Sequence, residues 1–104
     1  MKIKQGVNIQ GLDLKMRPAL VHAERIWKQN GRNEGVTVTS ALDGTHSAGS
    51  LHYYGMALDF RTRYFTRDRT TKVHYELNQA LKGVSNHFQV IKEKTHIHVE
   101  YDPL

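Results

Sequence analysis

Two histidines alternate with apolar residues near the end of the chain. In a strand over residues 96–100, His96 and His98 would share one face, while Ile97 and Val99 would face the core. A single strand histidine is most often a surface residue or one whose hydrogen bonds are satisfied. The pair of histidines is as consistent with a metal site or a proton-transfer site as with that structural explanation. The choice between them depends on other residues of the chain.

A second cluster supplies an aspartate and another histidine. His52 is predicted at the junction of a loop and a strand, and Asp59 follows on the polar face of that strand. Gly55 lies between them and allows the backbone to turn so that both side chains converge. With one further histidine they would form a His2Asp set, and three protein ligands plus an open fourth position are typical of catalytic zinc sites. His52 and Asp59 by themselves would more often be an accidental pair.

The composition makes histidine the main soft metal ligand of this chain. There are seven histidines and no cysteines among 104 residues, which excludes thiolate metal sites and disulfides. A content of 38% hydrophobic and 24% charged residues is that of one globular domain, spanning 1–104. The core of such a short chain is modest, so a metal that binds only the folded form would add stability.

Two helices are predicted from apolar residues at helical spacing. The first has Pro18 in its first turn and ends at Asn30-Gly31, and its apolar face consists of Met16, Ala19, Leu20, Ala23, Ile26 and Trp27. Residues 64–71 are predicted as a loop that leads into the second helix, which Gly83 ends. The apolar face of this second helix consists of Val73, Leu77, Ala80 and Leu81.

Strands are predicted at 36–40, 56–60, 88–91 and 96–100, with a loop of small and polar residues at 41–50. Strands that follow one another without helical crossovers predict an α+β fold. We expect a small antiparallel β-sheet with helices packed on one side. The zinc site would then lie in a cleft on the polar face of the sheet.

The two clusters together carry a resemblance to a known family. The pattern resembles the zinc D-Ala-D-Ala peptidase and lysostaphin group, which also includes the zinc-binding amino-terminal domain of Hedgehog proteins. The similarity covers residues 36–103, and the short length and closing segment 96–103 are most similar to small phage-associated peptidoglycan peptidases. The matching residues are Ser50-x-His52-x-x-Gly55-x-Ala57-x-Asp59, followed by His96-x-His98.

The resemblance implies one zinc ion, with His52, Asp59 and His98 as its ligands. It also implies that His96 polarises the scissile carbonyl or stabilises the oxyanion, and that Glu93 is the general base. The alternative for Glu93 is a solvated surface residue, because lysines flank it on both sides.

Other residues are expected around the cleft. His46 matches a histidine at the cleft edge of Hedgehog-like members, and Ser50 and Tyr53 are expected to bind substrate. Glu100 shares the predicted face of His98, so we expect it at the rim of the site or as a partner of a ligand.

One departure from the family concerns substrate recognition. Cell-wall carboxypeptidases of this group usually carry an arginine just after the first strand, but residues 39–43 contain none. Arg61 or Arg63 would have to replace it. The departure favours an endopeptidase, which cuts between L-Ala and D-Glu or within a cross-link, over a D-Ala-D-Ala carboxypeptidase.

Charge and hydropathy restrict the partners and the location. The net charge of +5 and pI of about 9.6 favour anionic partners such as wall polymer. No stretch approaches the ~20 apolar residues of a membrane span, and the first residues lack the apolar core of a signal peptide. We therefore expect a soluble cytoplasmic chain without membrane insertion. We also expect a monomer. Like endolysins, it would act on stem peptides of the cell wall when it is released or carried there.

Two other functions stay open. The first is a Hedgehog-like zinc-binding module without hydrolysis. The second is a basic histidine phosphoesterase, which would act on nucleic acid. We do not expect nucleic acid as a partner, since His-x-His occurs once and no glycine-rich phosphate loop is present.

Overall fold

The computed structural model describes residues 1–42 and 55–103, and these residues form two helices and five strands. A 3₁₀ turn at Leu14–Met16 leads into the first helix. The elements are β1 (Lys2–Ile3), α1 (Arg17–Gln29), β2 (Thr37–Ser40), β3 (Ala57–Arg61), α2 (Arg67–Val84), β4 (Phe88–Lys92) and β5 (His96–Tyr101).

The first helix forms where the apolar spacing predicts it. Pro18 lies in its first turn, where a missing N–H costs little. The helix ends at Gln29, and Gly31 follows with a φ of 101°, a left-handed conformation that glycine adopts without strain. The buried side chains of α1 are Ala19, Ala23, Ile26 and Trp27, which confirms the predicted apolar face except for the half-buried Leu20.

The second helix is longer than predicted at both ends. It begins at Arg67 because the hydroxyl of Thr66 accepts a hydrogen bond of 3.1 Å from the Arg69 N–H and so caps the first turn. Gly83 does not end the helix: it lies within the last turn, and the Ser85 N–H still donates to the Leu81 carbonyl at 3.0 Å. A glycine can continue a helix at a modest cost when its φ stays negative, as it does here.

The sheet is mixed and not wholly antiparallel as predicted. Its strand order is β1-β2-β3-β5-β4, with antiparallel pairing throughout except between β1 and β2, which are parallel. Hydrogen bonds from Lys2 N–H to the Val36 carbonyl and from Lys4 N–H to the Val38 carbonyl, 2.8 and 3.0 Å, hold β1 in place. A strand of two residues has no readable alternation, so the sequence does not reveal it.

One face of the sheet and both helices form the core. Trp27 of α1 packs edge-on against Phe60 of β3 with ring centroids 5.8 Å apart, and its indole N–H donates to the Arg61 carbonyl at 3.0 Å. The fully buried strand residues on this face include Val38, Leu58, Phe60, Ile97 and Val99. The prediction of an α+β fold with helices on one side of a sheet is therefore confirmed, and the opposite face of β3 and β5 is left for polar side chains.

Candidate metal centre

The antiparallel register of β3 and β5 brings Asp59 opposite His98. In the same ladder Arg61 pairs with His96, and Ala57 pairs with Glu100. Because paired residues of an antiparallel ladder point to the same face, the polar residues of the two strands form one continuous patch. The alternation in the sequence predicts this face for His96, His98 and Asp59, and the structure confirms it.

His98 lies between two carboxylates. Its Nδ1 is 2.8 Å from Asp59 Oδ1, and its Nε2 is 2.8 Å from Glu100 Oε1. The side chains of His98, Asp59 and Glu100 are 19%, 15% and 23% exposed. These contacts are therefore largely shielded from water, which strengthens their electrostatics.

Such an arrangement requires a second proton on the imidazole ring or a metal ion beside it. A neutral imidazole has one N–H donor and one lone pair, so it can satisfy only one of two carboxylates as a donor. The other contact is unfavourable unless a proton or a metal ion lies between the two acceptors. Without a metal the contacts favour the protonated ring: the hydrogen bond to Asp59 raises the pKa of His98, burial opposes the rise, and Glu100 adds to it.

His96 lies beside this pair. Its Nε2 is 3.9 Å from Asp59 Oδ2, beyond hydrogen-bond distance, and its Nδ1 is 3.2 Å from the Thr95 hydroxyl. Asp59 thus directs one oxygen to His98 and the other towards His96. The ring of His96 lies beside Asp59 and does not compete for the contact with His98.

Glu93 occupies a different position from the histidines. It lies in the turn between β4 and β5, where its backbone N–H donates to the His96 carbonyl at 2.9 Å, and its side chain is exposed. It lines a cavity of about 450 Å³ together with Arg63 and Thr95. Asp59 and His96 line a separate cavity that shares those two residues. The role of Glu93 as the general base stays a prediction.

Four of the predicted site residues lie outside the described residues. They are the third predicted ligand, His52, and the substrate-binding candidates His46, Ser50 and Tyr53. Within 1–42 and 55–103, no group of three or more potential ligands is arranged to hold a metal ion. The described part of the predicted centre is therefore the pair Asp59 and His98.

This pair fits a zinc site in its donor atoms and in the hydrogen bond that orients the His98 ring. Carboxylate oxygen and imidazole nitrogen are both ordinary zinc ligands. A ligating imidazole usually donates its second N–H to a carboxylate or carbonyl, and Glu100 is in position to accept from Nε2 of His98. The sequence places Glu100 on the correct face, and the structure identifies it as the partner of His98.

Cations surround the cavity that holds Asp59 and His96. This cavity, of about 270 Å³, is also lined by Lys4, Arg61 and Arg63, and by the hydroxyl-bearing residues Thr39, Ser40 and Thr95. Sequence reasoning named the two arginines but missed Lys4. Lys4 reaches the cavity because the two-residue strand β1 pairs with β2, and no pattern in the sequence indicates that pairing.

Comparisons with protein-family models, with curated proteins and with solved structures found no match to this chain. Neither α1 nor α2, the two helices of the described residues, has the length and apolar character needed to cross a membrane.

Proposed function

We propose that this chain is a zinc-dependent peptidase that hydrolyses a peptide bond in bacterial peptidoglycan. One zinc ion would be held by Asp59, His98 and His52. The observation that supports the metal most directly is the position of His98, whose two ring nitrogens each meet a carboxylate at 2.8 Å.

The contacts of His98 with Asp59 and Glu100 support a bound metal on chemical grounds. If Nε2 of His98 donates to Glu100, its Nδ1 presents a lone pair in the direction of Asp59. Asp59 and His98 would hold a divalent cation at this position, and its charge would offset the unfavourable meeting of the two acceptors. Glu100 would fix the ring orientation and raise the basicity of the ligating nitrogen.

The remaining residues have distinct chemical roles in this proposal. When bound, zinc supplies Lewis-acid activation of water and of a carbonyl group at neutral pH. His96, within 3.9 Å of Asp59, donates its ring N–H to the oxygen that becomes negative as the carbonyl is attacked. The loss of one such donor typically costs about 3–4 kcal/mol of transition-state stabilisation. Glu93 accepts a proton from the attacking water and passes it to the leaving amine.

The choice of wall peptide as the substrate rests on the sequence. The two-part motif resembles peptidases of that substrate class, and the net charge of +5 favours approach to an anionic wall. The absence of an arginine at 39–43 favours an endopeptidase, which does not need to bind a free C-terminal carboxylate.

A second candidate function is a zinc-binding module without hydrolysis. The observation in its favour is the position of Glu93, which is exposed in the turn and lines a different cavity from Asp59 and His96. If Glu93 does not reach a zinc ion held by Asp59 and His98, the chain would bind zinc and leave peptides intact.

Mass analysis of muropeptides released from purified walls tests the proposed function. The zinc-loaded chain should release fragments from one type of peptide bond, a chelator should abolish release, and zinc should restore it. Glu93→Gln should lose most of the turnover and keep its zinc. His22→Ala, which removes a histidine of α1 far along the chain from the motif, serves as the matched control.

The outcomes separate the candidates. Zinc binding without any release of fragments supports the non-hydrolytic module. Release that is unchanged in His98→Ala contradicts the proposed centre, and nuclease or phosphoesterase activity without wall hydrolysis contradicts the proposed substrate.

A further inference from the structure

The sheet of the described residues has two outer strands, β1 at one edge and β4 at the other. An outer strand presents backbone N–H and C=O groups that can pair with a strand of another chain. β1 has only two residues, and so short an edge offers little for pairing. β4 has five residues, Phe88–Lys92, so its edge is long enough to accept another strand unless the protein covers it.

The register of β4 and β5 determines which backbone groups of β4 point outward. The Glu93 N–H donates to the His96 carbonyl at 2.9 Å, so these two residues form a hydrogen-bonded pair. Hydrogen-bonded and non-hydrogen-bonded pairs alternate along an antiparallel ladder. Going back from Glu93, every second residue of β4 therefore bonds to β5, and the backbone groups of Phe88 and Val90 point away from β5 to the outer edge.

Side chains of α2 contact both of these outward carbonyl groups. His74 Nε2 lies 2.9 Å from the Val90 carbonyl, and Lys82 Nζ donates to the Phe88 carbonyl at 2.5 Å. A carbonyl oxygen can only accept, so the contact with Val90 requires the proton of the His74 ring on Nε2. The outer edge of β4 is therefore covered by two donors from the neighbouring helix.

These contacts oppose the addition of another strand. An added strand would need the same two carbonyl groups as acceptors, so its N–H groups would have to compete with His74 and Lys82. It would also approach the ammonium group of Lys82, and a lysine at a sheet edge opposes pairing between chains. A third contact, from Lys92 Nζ to the Thr71 hydroxyl at 3.2 Å, connects the end of β4 to α2.

The sequence of β4 indicates which strand has to be kept out. Residues 88–91 are uncharged and include Phe88, Val90 and Ile91, and the side chain of Ile91 is 43% exposed. Apolar segments of high β propensity and low charge pair readily with identical segments. Two β4 edges can pair as antiparallel strands about a twofold axis, which makes a second copy of this chain the natural occupant.

We propose that His74 and Lys82 close the outer edge of β4 and prevent a second copy of this chain from adding to the sheet. This inference goes beyond the proposed function and does not depend on it. The two edges of the sheet are closed in different ways: β1 is short, and β4 is covered by side chains of α2.

Self-association of the full metal-free chain tests the inference. In sedimentation equilibrium, the double variant His74→Ala/Lys82→Ala should shift towards twice the mass of the parent as concentration rises, while the parent should stay monomeric. Amide hydrogen exchange locates the contact, since the outward N–H of Val90 becomes bonded if β4 pairs with a second β4. Its exchange should slow about ten-fold or more in the dimer of the double variant.

Matched variants separate the role of the two donors from other effects. His74→Gln/Lys82→Arg keeps a donor at each position and should stay monomeric. His22→Ala/Lys72→Ala also removes one histidine and one lysine, at positions on α1 and α2 that do not contact the Phe88 and Val90 carbonyls, and should stay monomeric. Amide NMR spectra establish that each variant is folded. If the double alanine variant fails to fold, Lys82→Met, which keeps the aliphatic stem and removes the donor, provides the second test.

Three outcomes would overturn the inference. The first is a folded double variant that is as monomeric as the parent. The second is a dimer in which the Val90 amide exchanges as fast as in the parent, because the two copies then meet elsewhere. The third is a parent dimer with slow exchange at Val90, since the edge would then be open despite His74 and Lys82. Zinc binding and wall hydrolysis do not enter these measurements, so failure of the proposed function leaves the inference intact.

Discussion

At the scale of single residues, the main feature of the candidate centre is the position of His98 between two carboxylates. Both ring nitrogens of His98 lie 2.8 Å from carboxylate oxygens, in an environment largely shielded from water. Only a proton or a metal ion makes both contacts favourable. A proton or a metal ion in this position therefore offsets the negative charge of Asp59 and Glu100.

The partner of His98 on its far side gives a first prediction. Glu100→Gln should weaken zinc binding about 10–100-fold, because the amide replaces the charged acceptor that orients the ring and raises its basicity. Zinc titration against a competing chelator measures the change. Glu34→Gln is the control, since Glu34 is an exposed partner of Lys2 at the other edge of the sheet. An affinity unchanged in Glu100→Gln would show that this contact does not support the metal.

The raised pKa of His98 gives a second prediction, for the metal-free chain. Protonated His98 is stabilised by Asp59 and Glu100 in the folded state only. Its contribution to folding is fully present below the unfolded-state pKa of about 6.5 and is lost as the pH rises through the higher folded-state pKa. Imidazole NMR titration should place His98 above the ordinary range, and the free energy of unfolding should fall over that interval in the parent. The same interval should be flat in His98→Ala.

At the scale of elements, the strands that carry the candidate centre follow from their sequences. Alternation in 96–100 predicts that Ile97 and Val99 are buried and that His96 and His98 are on the opposite face, and this is confirmed. The pairing of Asp59 with His98 depends on register, which alternation alone does not specify. The packing of Leu58 and Phe60 on the core face excludes a slip by one residue, which would exchange the two faces.

The elements that sequence reasoning misplaced depend on local hydrogen bonds. The start of α2 depends on the hydroxyl of Thr66, and its end depends on whether Gly83 takes a positive φ, which it does not. The position of β1 depends on hydrogen bonds to residues more than 30 positions away. Local and long-range hydrogen bonds determine the ends of α2 and the position of β1. Composition and periodicity carry little information about such contacts.

The unexpected helical position of Gly83 gives a third prediction. Gly83→Ala should raise the free energy of unfolding by about 0.5–1 kcal/mol, because alanine is the better helix former and its Cβ would meet no atom within 4 Å. Gly31→Ala is a matched control: its Cβ would also meet no atom within 4 Å, but its φ of 101° strains an alanine. That variant should lose stability by more than Gly83→Ala gains. Urea denaturation measures both, and destabilisation by Gly83→Ala would contradict the helical end described here.

At the scale of the whole molecule, the chain has a net charge of +5, and several of its cations line two neighbouring cavities. The cavity beside Asp59 has three cations, and the neighbouring cavity adds Arg67, Lys92 and Lys94 around Glu93. The two cavities share Arg63 and Thr95, so the cationic surface extends from β1 to the turn between β4 and β5. A pI of about 9.6 reveals the excess of positive charge but not its concentration next to the candidate metal.

This distribution gives a fourth prediction, for the action on walls. Lysis of purified walls should fall as ionic strength rises from about 0.05 to 0.5 M, since salt screens the attraction between exposed charges. Turbidity measures lysis, and the free energy of unfolding at each salt concentration is the control for stability. Lysis that does not change over this range would contradict a role for the cationic surface in binding the wall.

The central claim is that Asp59 and His98 hold one zinc ion together with His52. The most direct measurement is calorimetric titration of the metal-free chain with zinc, compared with His98→Ala, Asp59→Asn and the control His22→Ala. We predict one zinc per chain in the parent and in His22→Ala, with affinity at least 100-fold lower in each variant of the pair. Parent-like zinc affinity in His98→Ala or Asp59→Asn, or no zinc binding by the parent, would contradict the claim.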